Sequence, residues 1–210
     1  MNQVRKLLAA TEGTPLYVIV YLAVNTGLRR GELLGLKWED VDMGVGVAYI
    51  RRVLQKVGGH GYVFREPKTP KSRRSVALAP SVVEVLKKHR ARQAEEKLLM
   101  GEDYNDLGLV LAQPDGSPIN PSTLSGQFRR LAAKAGLHGL RFHDLRHTHA
   151  TLTLKAGVHP KIVSERLGHS SVGITLDTYS HVLPGLQEEA ARKLDEQLFG
   201  TASSRPCRAN

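Results

Sequence analysis

Residues 140–150 read Leu140-Arg141-Phe142-His143-Asp144-Leu145-Arg146-His147-Thr148-His149-Ala150, the segment of this 210-residue chain most densely supplied with groups that carry protons or bind anions. As part of a helix over about 143–156, it sets His143 and Arg146 three residues apart on one face. A histidine exchanges a proton near neutral pH, and an arginine fork holds two oxygens of a phosphate. Together they suit phosphoryl transfer without a metal, whereas an exposed basic helix is the plainer alternative. His143 and His147, four apart, also have a metal-binding spacing. A zinc hydrolase of that pattern needs glutamate directly after the first histidine, however, and Asp144 stands there with Arg146 close enough to repel a dication. No metal is expected.

Working outward, further helices are expected at about 121–135, 160–168, 171–179 and 184–199, and a long polar helix from Pro80 to about Leu99. Leu109-Val110-Leu111 reads as a short strand. Residues 45–78 alternate β-formers with turns and read as one small antiparallel sheet, with a basic turn at Lys68 to Lys71. The N-terminal part is helical, with Val4, Leu7 and Leu8 on one face, Val18, Ile19, Leu22 and Ala23 on the next helix, and a further stretch from Arg29 to Leu36. The expected fold class is therefore mainly α with a small antiparallel β-sheet (α+β), in one domain over 1–200. Residues 201–210 lack an apolar face and are expected to form a disordered tail.

Two other segments hold reactive side chains. Asn25-Thr26-Gly27-Leu28-Arg29-Arg30-Gly31-Glu32 sets Arg29 and Glu32 at i,i+3, which in isolation reads as an exposed ion pair of small energetic value. Leu167-Gly168-His169 is followed ten residues after the histidine by Tyr179, and most tyrosines are packing residues.

Taken in order, these segments resemble the tyrosine recombinase family, which includes the phage integrases. The Thr-Gly-Leu-Arg motif matches at Arg29 with its acidic residue at Glu32, His-x-x-Arg at His143 and Arg146, Leu-Gly-His at His169, and the nucleophile at Tyr179. The family's hairpin lysine matches Lys68 in Pro67-Lys68-Thr69-Pro70-Lys71, with Lys71 as the alternative. The resemblance spans about residues 4–199 and implies the catalytic-domain fold of DNA breaking and rejoining enzymes. It also implies site-specific recombination through a 3′-phosphotyrosyl intermediate, acting on double-stranded DNA with neither metal nor ATP. On this reading Arg29 and Arg146 neutralise the phosphate, Lys68 protonates the leaving 5′ oxygen and His143 assists Tyr179. His169 hydrogen-bonds the phosphate, and Glu32 orients Arg29 or His143. Full-length integrases usually carry an N-terminal helical clamp. The motif pattern here begins almost at Met1, so the clamp is expected to be absent.

Two other readings stay open. Ala156-Gly157-Val158 followed by Ile162-Val163 resembles a helix-turn-helix, which would bind DNA without chemistry and leave Tyr179 without a purpose. A type IB topoisomerase would use similar chemistry to relax DNA. The apolar stripe Leu186, Ala190, Leu194 and Leu198 bears on this choice. It either covers its own core or, as the resemblance implies, docks the 184–199 helix on a neighbouring protomer of a tetramer. The net charge of +10 favours a polyanionic partner. A single cysteine, Cys207, forms no internal disulfide and points to a reducing compartment. No apolar run has bilayer length and the N-terminus lacks a secretory pattern, so a cytoplasmic protein is expected.

Overall fold

Eight of the eleven residues of helix α2 (Leu16–Thr26) are buried. A helix that is apolar around most of its circumference has to be covered on most sides, and in the computed structural model α1 (Asn2–Thr11), α3 (Arg30–Leu34), α4 (Pro80–Met100) and α6 (Asp144–Lys155) pack around it. The structure describes residues 2–58, 61–67, 72–179 and 186–200. The remaining helices are α5 (Pro121–Lys134), α7 (Pro160–Leu167), α8 (Val172–Tyr179) and α9 (Leu186–Phe199). Pro80, Pro121 and Pro160 each open their helix, where the missing N–H costs nothing. Among the described residues no helix is long and apolar enough to cross a membrane. The mainly helical class with a small antiparallel component is as expected.

The β region differs from the single sheet read from sequence. Strands β1 (Val41–Asp42), β2 (Val47–Ile50) and β5 (Arg74–Ala77) form one antiparallel sheet in the order β1-β2-β5. Strands β3 (Val53–Val57) and β4 (Gly61–Arg65) form a separate hairpin. The break falls at Arg51-Arg52, where Arg52 is held by Glu39 and Asp40, each at 2.8 Å. The hairpin then packs on α3 rather than beside β2. Gly31 and Gly35 make that approach possible, since a Cβ there would lie 2.6 Å from Val53 Cγ1 and 2.9 Å from the Leu54 nitrogen respectively. The short strand expected at 109–111 is reduced to isolated bridges, Lys37 with Leu109 and Ala112 with Pro118. Val110 and Leu111 are apolar because they are buried, and not because they extend a ladder.

Among the described residues two hydrophobic clusters result. The larger spans α1 to α5, the three-stranded sheet and the start of α6. The smaller joins Ala150 and Leu154 of α6, Val163 and Leu167 of α7, and Tyr179 at the end of α8. The site lies where these clusters meet.

Candidate active site

Helix α2 ends at Gly27, whose φ of +67° closes the turn with its amide on the Ala23 carbonyl. That turn delivers Arg29, which sits just before α3 in extended conformation and outside the helix expected over Arg29 to Leu36. Glu32 folds back to the helix start. Its Oε2 accepts the Arg29 backbone N–H at 2.9 Å and its Oε1 accepts the Arg29 guanidinium at 2.9 Å. This is not an exposed ion pair. Glu32 is 2% exposed, and Arg74 of β5 donates to both its oxygens, at 2.9 and 3.2 Å. Burial alone would raise the Glu32 carboxyl, but Arg74 and then Arg29 outweigh it and hold it below the usual carboxylate range.

The C-terminus of α7 organises the cations. The last carbonyls of a helix lack intrahelical partners and lie at its negative end. Here three consecutive ones each receive a different arginine: Arg166 O from Arg74 Nε at 2.7 Å, Leu167 O from Arg146 Nη2 at 2.7 Å, and Gly168 O from Arg29 Nη2 at 3.3 Å. Arg146 also donates to Gly27 O at 2.8 Å, which ties α6 to the α2 turn. Burial, then repulsion from Arg29, weaken the hold of Arg146 on its proton to about 9, which still leaves it charged at neutral pH. It is a buried cation whose direct partners are neutral carbonyls, so its charge is available to an anion that enters the cleft.

Tyr179 is 4% exposed, and burial pushes its phenol above the ordinary tyrosine range. Its hydroxyl lies 2.8 Å from His147 Nδ1. The residue expected to serve the tyrosine was His143, but one helical turn separates the two histidines and the later one meets the hydroxyl. His143 packs edge-on against His147, ring centres 5.0 Å apart, and burial followed by His147 and Arg146 lowers its affinity for a proton. His169 places Nδ1 2.8 Å from Thr175 Oγ1, which leaves Nε2 for a substrate oxygen.

Arg29, Glu32, His143, Arg146, His169 and Tyr179 all line one cleft, with Pro67 and Ser72 in its wall. Lys68 and its alternative Lys71 lie outside the described residues. Arg74 and His147 were missed as site residues. The only local signal for either was the His143–His147 spacing, which raised the question of a metal rather than of a tyrosine. Chemically, the cleft offers two guanidinium groups for anionic oxygens, a phenol as nucleophile and an imidazole on its hydroxyl.

Two histidines with lowered proton affinity, one buried and one half-exposed, are expected to make stability pH-dependent. His149, between the Val24 carbonyl and Arg166, has its pKa lowered to about 4 by burial first and arginine charge after. His169 falls to about 4 through burial, then Arg146 and Arg29. Both protonate in the unfolded chain near 6.5, so below that pH the unfolded state binds more protons. Stability is expected to fall as pH drops from 6.5 towards 4, by up to about 1.4 kcal/mol per pH unit for His149 and less for the half-exposed His169. Denaturant titrations across that range check this, and His149→Asn should flatten the slope.

The chain belongs to the phage integrase family, whose sequence profile matches residues 1–185. It is 38% identical over 206 residues to a "Tyrosine recombinase XerC-like" protein of Caldanaerobacter subterraneus subsp. tengcongensis, across 93% of this chain and 53% of that one. It is 32% identical over 188 residues to the ICEBs1 integrase of Bacillus subtilis, across 87% of this chain and 48% of the relative. The chain thus spans about half the length of these relatives. Its fold is similar to that of the Tn1549 transposon integrase, solved in complex with transposon right end DNA. The TM-score is 0.76 at 25% identity, over 94% of this chain and 64% of that one.

Proposed function

We propose that this chain is the catalytic part of a site-specific DNA recombinase that cleaves and rejoins strands through a 3′-phosphotyrosyl bond to Tyr179. The observation that carries this reading is the Tyr179 hydroxyl, held by His147 in the same cleft as Arg29 and Arg146. A scissile phosphodiester entering the cleft brings its non-bridging oxygens to the two guanidinium groups, which are already oriented by the α7 carbonyls. Tyr179 Oη attacks phosphorus and His147 takes its proton. The bond to the 5′ oxygen breaks, and that oxygen leaves with a proton from Lys68, a role assigned by sequence position. His169 Nε2 and His143 hydrogen-bond the phosphate, and Glu32 fixes Arg29. A 5′ hydroxyl from the partner duplex reverses the step. One phosphoester replaces another, so the bond energy is conserved and ATP is not required.

The names of the relatives, recombinase and integrase, support strand exchange over relaxation. In α9, Leu194 and Leu198 are 56% and 64% exposed, which supports docking of this helix on a neighbouring protomer in a tetramer on DNA. The net charge of +10 supports a DNA partner, and action on DNA fits the cytoplasmic location expected from the sequence. Most of the affinity would then be phosphate contact, and it is expected to fall steeply as salt rises.

The test is a nicked suicide duplex, offered without metal or ATP, whose cleaved fragment diffuses away. Candidate sites flanking the gene and generic duplex at high protein concentration serve as substrates. A covalent adduct whose DNA-bearing peptide contains Tyr179 supports the proposal, while DNA bound without any adduct returns the chain to the binding-module reading. The role of His147 has its own check. His147→Ala is expected to slow cleavage by about 10²–10³-fold. A substrate with sulfur in place of the bridging 5′ oxygen needs no proton on leaving, so it should rescue Lys68→Ala and not His147→Ala. Equal rescue of both would move His147 to the leaving-group side.

A further inference from the structure

We infer that Arg74 is a positioning residue that sets both phosphate-binding arginines, through Glu32 on one side and the C-terminal turn of α7 on the other. The inference rests on the recombinase reading and deepens it.

Arg74 is not among the residues that line the cleft. It lies behind them, with its side chain 7% exposed, and all three of its nitrogens are engaged. Nη1 and Nη2 form a two-pronged contact with Glu32, Nε donates to Arg166 O at 2.7 Å, and Nη1 also reaches Ser72 O at 3.1 Å. Glu32 is thereby pinned from below while it holds Arg29 from above. The carbonyl that Arg74 takes immediately precedes those that grip Arg146 and Arg29. One guanidinium therefore fixes the supports of both arginines that face substrate.

Electrostatics argue against a merely tolerated residue. Arg74 is a second buried cation close to Arg146, and it depresses the proton affinity of Arg146. A buried ion pair is commonly neutral or unfavourable relative to apolar packing, so a cation here is best explained by the geometry it imposes. Gly168 gives a second, independent sign. A Cβ there would lie 2.8 Å from Arg74 Nη1, at a backbone φ of +67°. The backbone conformation there favours glycine, and a side chain at 168 would have to push the Arg74 guanidinium aside.

The test uses the whole chain with Arg74→Met and Arg74→Lys. In free protein, ¹⁵N side-chain spectra report rotation of the Arg29 and Arg146 guanidinium groups. Rotation is expected to be slow in the native chain, fast in Arg74→Met and intermediate in Arg74→Lys, which keeps charge beside Glu32 but loses the fork. In single-turnover cleavage of the suicide duplex, Arg74→Met is expected to lose about 10–100-fold in rate, the range for loss of a group that orients a catalytic ligand, with DNA Kd within about two-fold of native. Unchanged guanidinium spectra, or a rate loss matched by an equal loss of DNA affinity, would overturn the inference. Should Arg74→Met fail to fold, Arg74→Lys carries both measurements, with a smaller effect in the same direction. A native chain that forms no Tyr179 adduct sinks the recombinase reading instead, and the spectra still decide the role of Arg74.

Discussion

Tyr179→Phe is expected to reduce covalent strand capture by at least about 10⁴-fold while leaving the fold and DNA affinity close to native. The two halves of this expectation have separate physical origins. The ring belongs to the small cluster with Leu154, Val163 and Leu167, and phenylalanine keeps that packing. The hydroxyl makes one hydrogen bond, to His147, and losing it costs about 1 kcal/mol. On the proposed mechanism the reaction loses its nucleophile, and the aliphatic hydroxyls of Ser72, Ser170 and Thr178 that share the cleft are far weaker acids than a phenol. A denaturing gel read beside a thermal melt separates the effects. Residual adduct at more than a few per cent of native would mean that another side chain attacks.

Arg146→Ala is expected to be damaging in both respects. Its fork bonds Gly27 O and Leu167 O, which join the end of α2 to the end of α7. Truncation leaves those buried carbonyls without their donor, at about 1–3 kcal/mol. It also removes a preorganised cation from where charge redistributes, worth about 10²–10³-fold in cleavage. Arg146→Lys discriminates between the two losses. It restores charge but cannot bridge two carbonyls while facing a phosphate. Lysine is therefore expected to recover part of the DNA affinity and little of the rate. Full recovery of cleavage by lysine would show that charge, and not the planar fork, is what the site uses.

The legibility of this site in the sequence follows contact distance along the chain. Arg29 with Glu32, and His143 with Arg146, are local pairs whose spacing survives translation into three dimensions, even though Arg29 proves to lie outside α3. Arg74 meets Glu32 across 42 positions, and its neighbourhood of Lys71, Arg73 and Arg74 reads as another stretch of basic surface. His147 meets Tyr179 across 32 positions. The β region failed for a related reason. Strand character is local and legible, whereas the partner of each strand is not local. Nothing in Arg74–Ala77 says that it pairs with Val47–Ile50 and skips the intervening hairpin. The glycines that seat the hairpin on α3 are visible in sequence only as residues without side chains.

Tyr179, the proposed nucleophile, sits in the lesser of the two clusters found among the described residues, and this bears on how the domain yields under thermal fluctuation. A few side chains from α6, α7 and α8 enclose Tyr179, apart from the broad interior built around α2. Partial openings draw on the least-supported contacts first. Such an excursion can free α8 and its terminal tyrosine while α2, and the carbonyls it presents, stay intact. Backbone amides of α8 are accordingly expected to exchange with deuterium well ahead of those in α2. Exchange at equal rates in both would mean that Tyr179 is released only by cooperative loss of the whole domain.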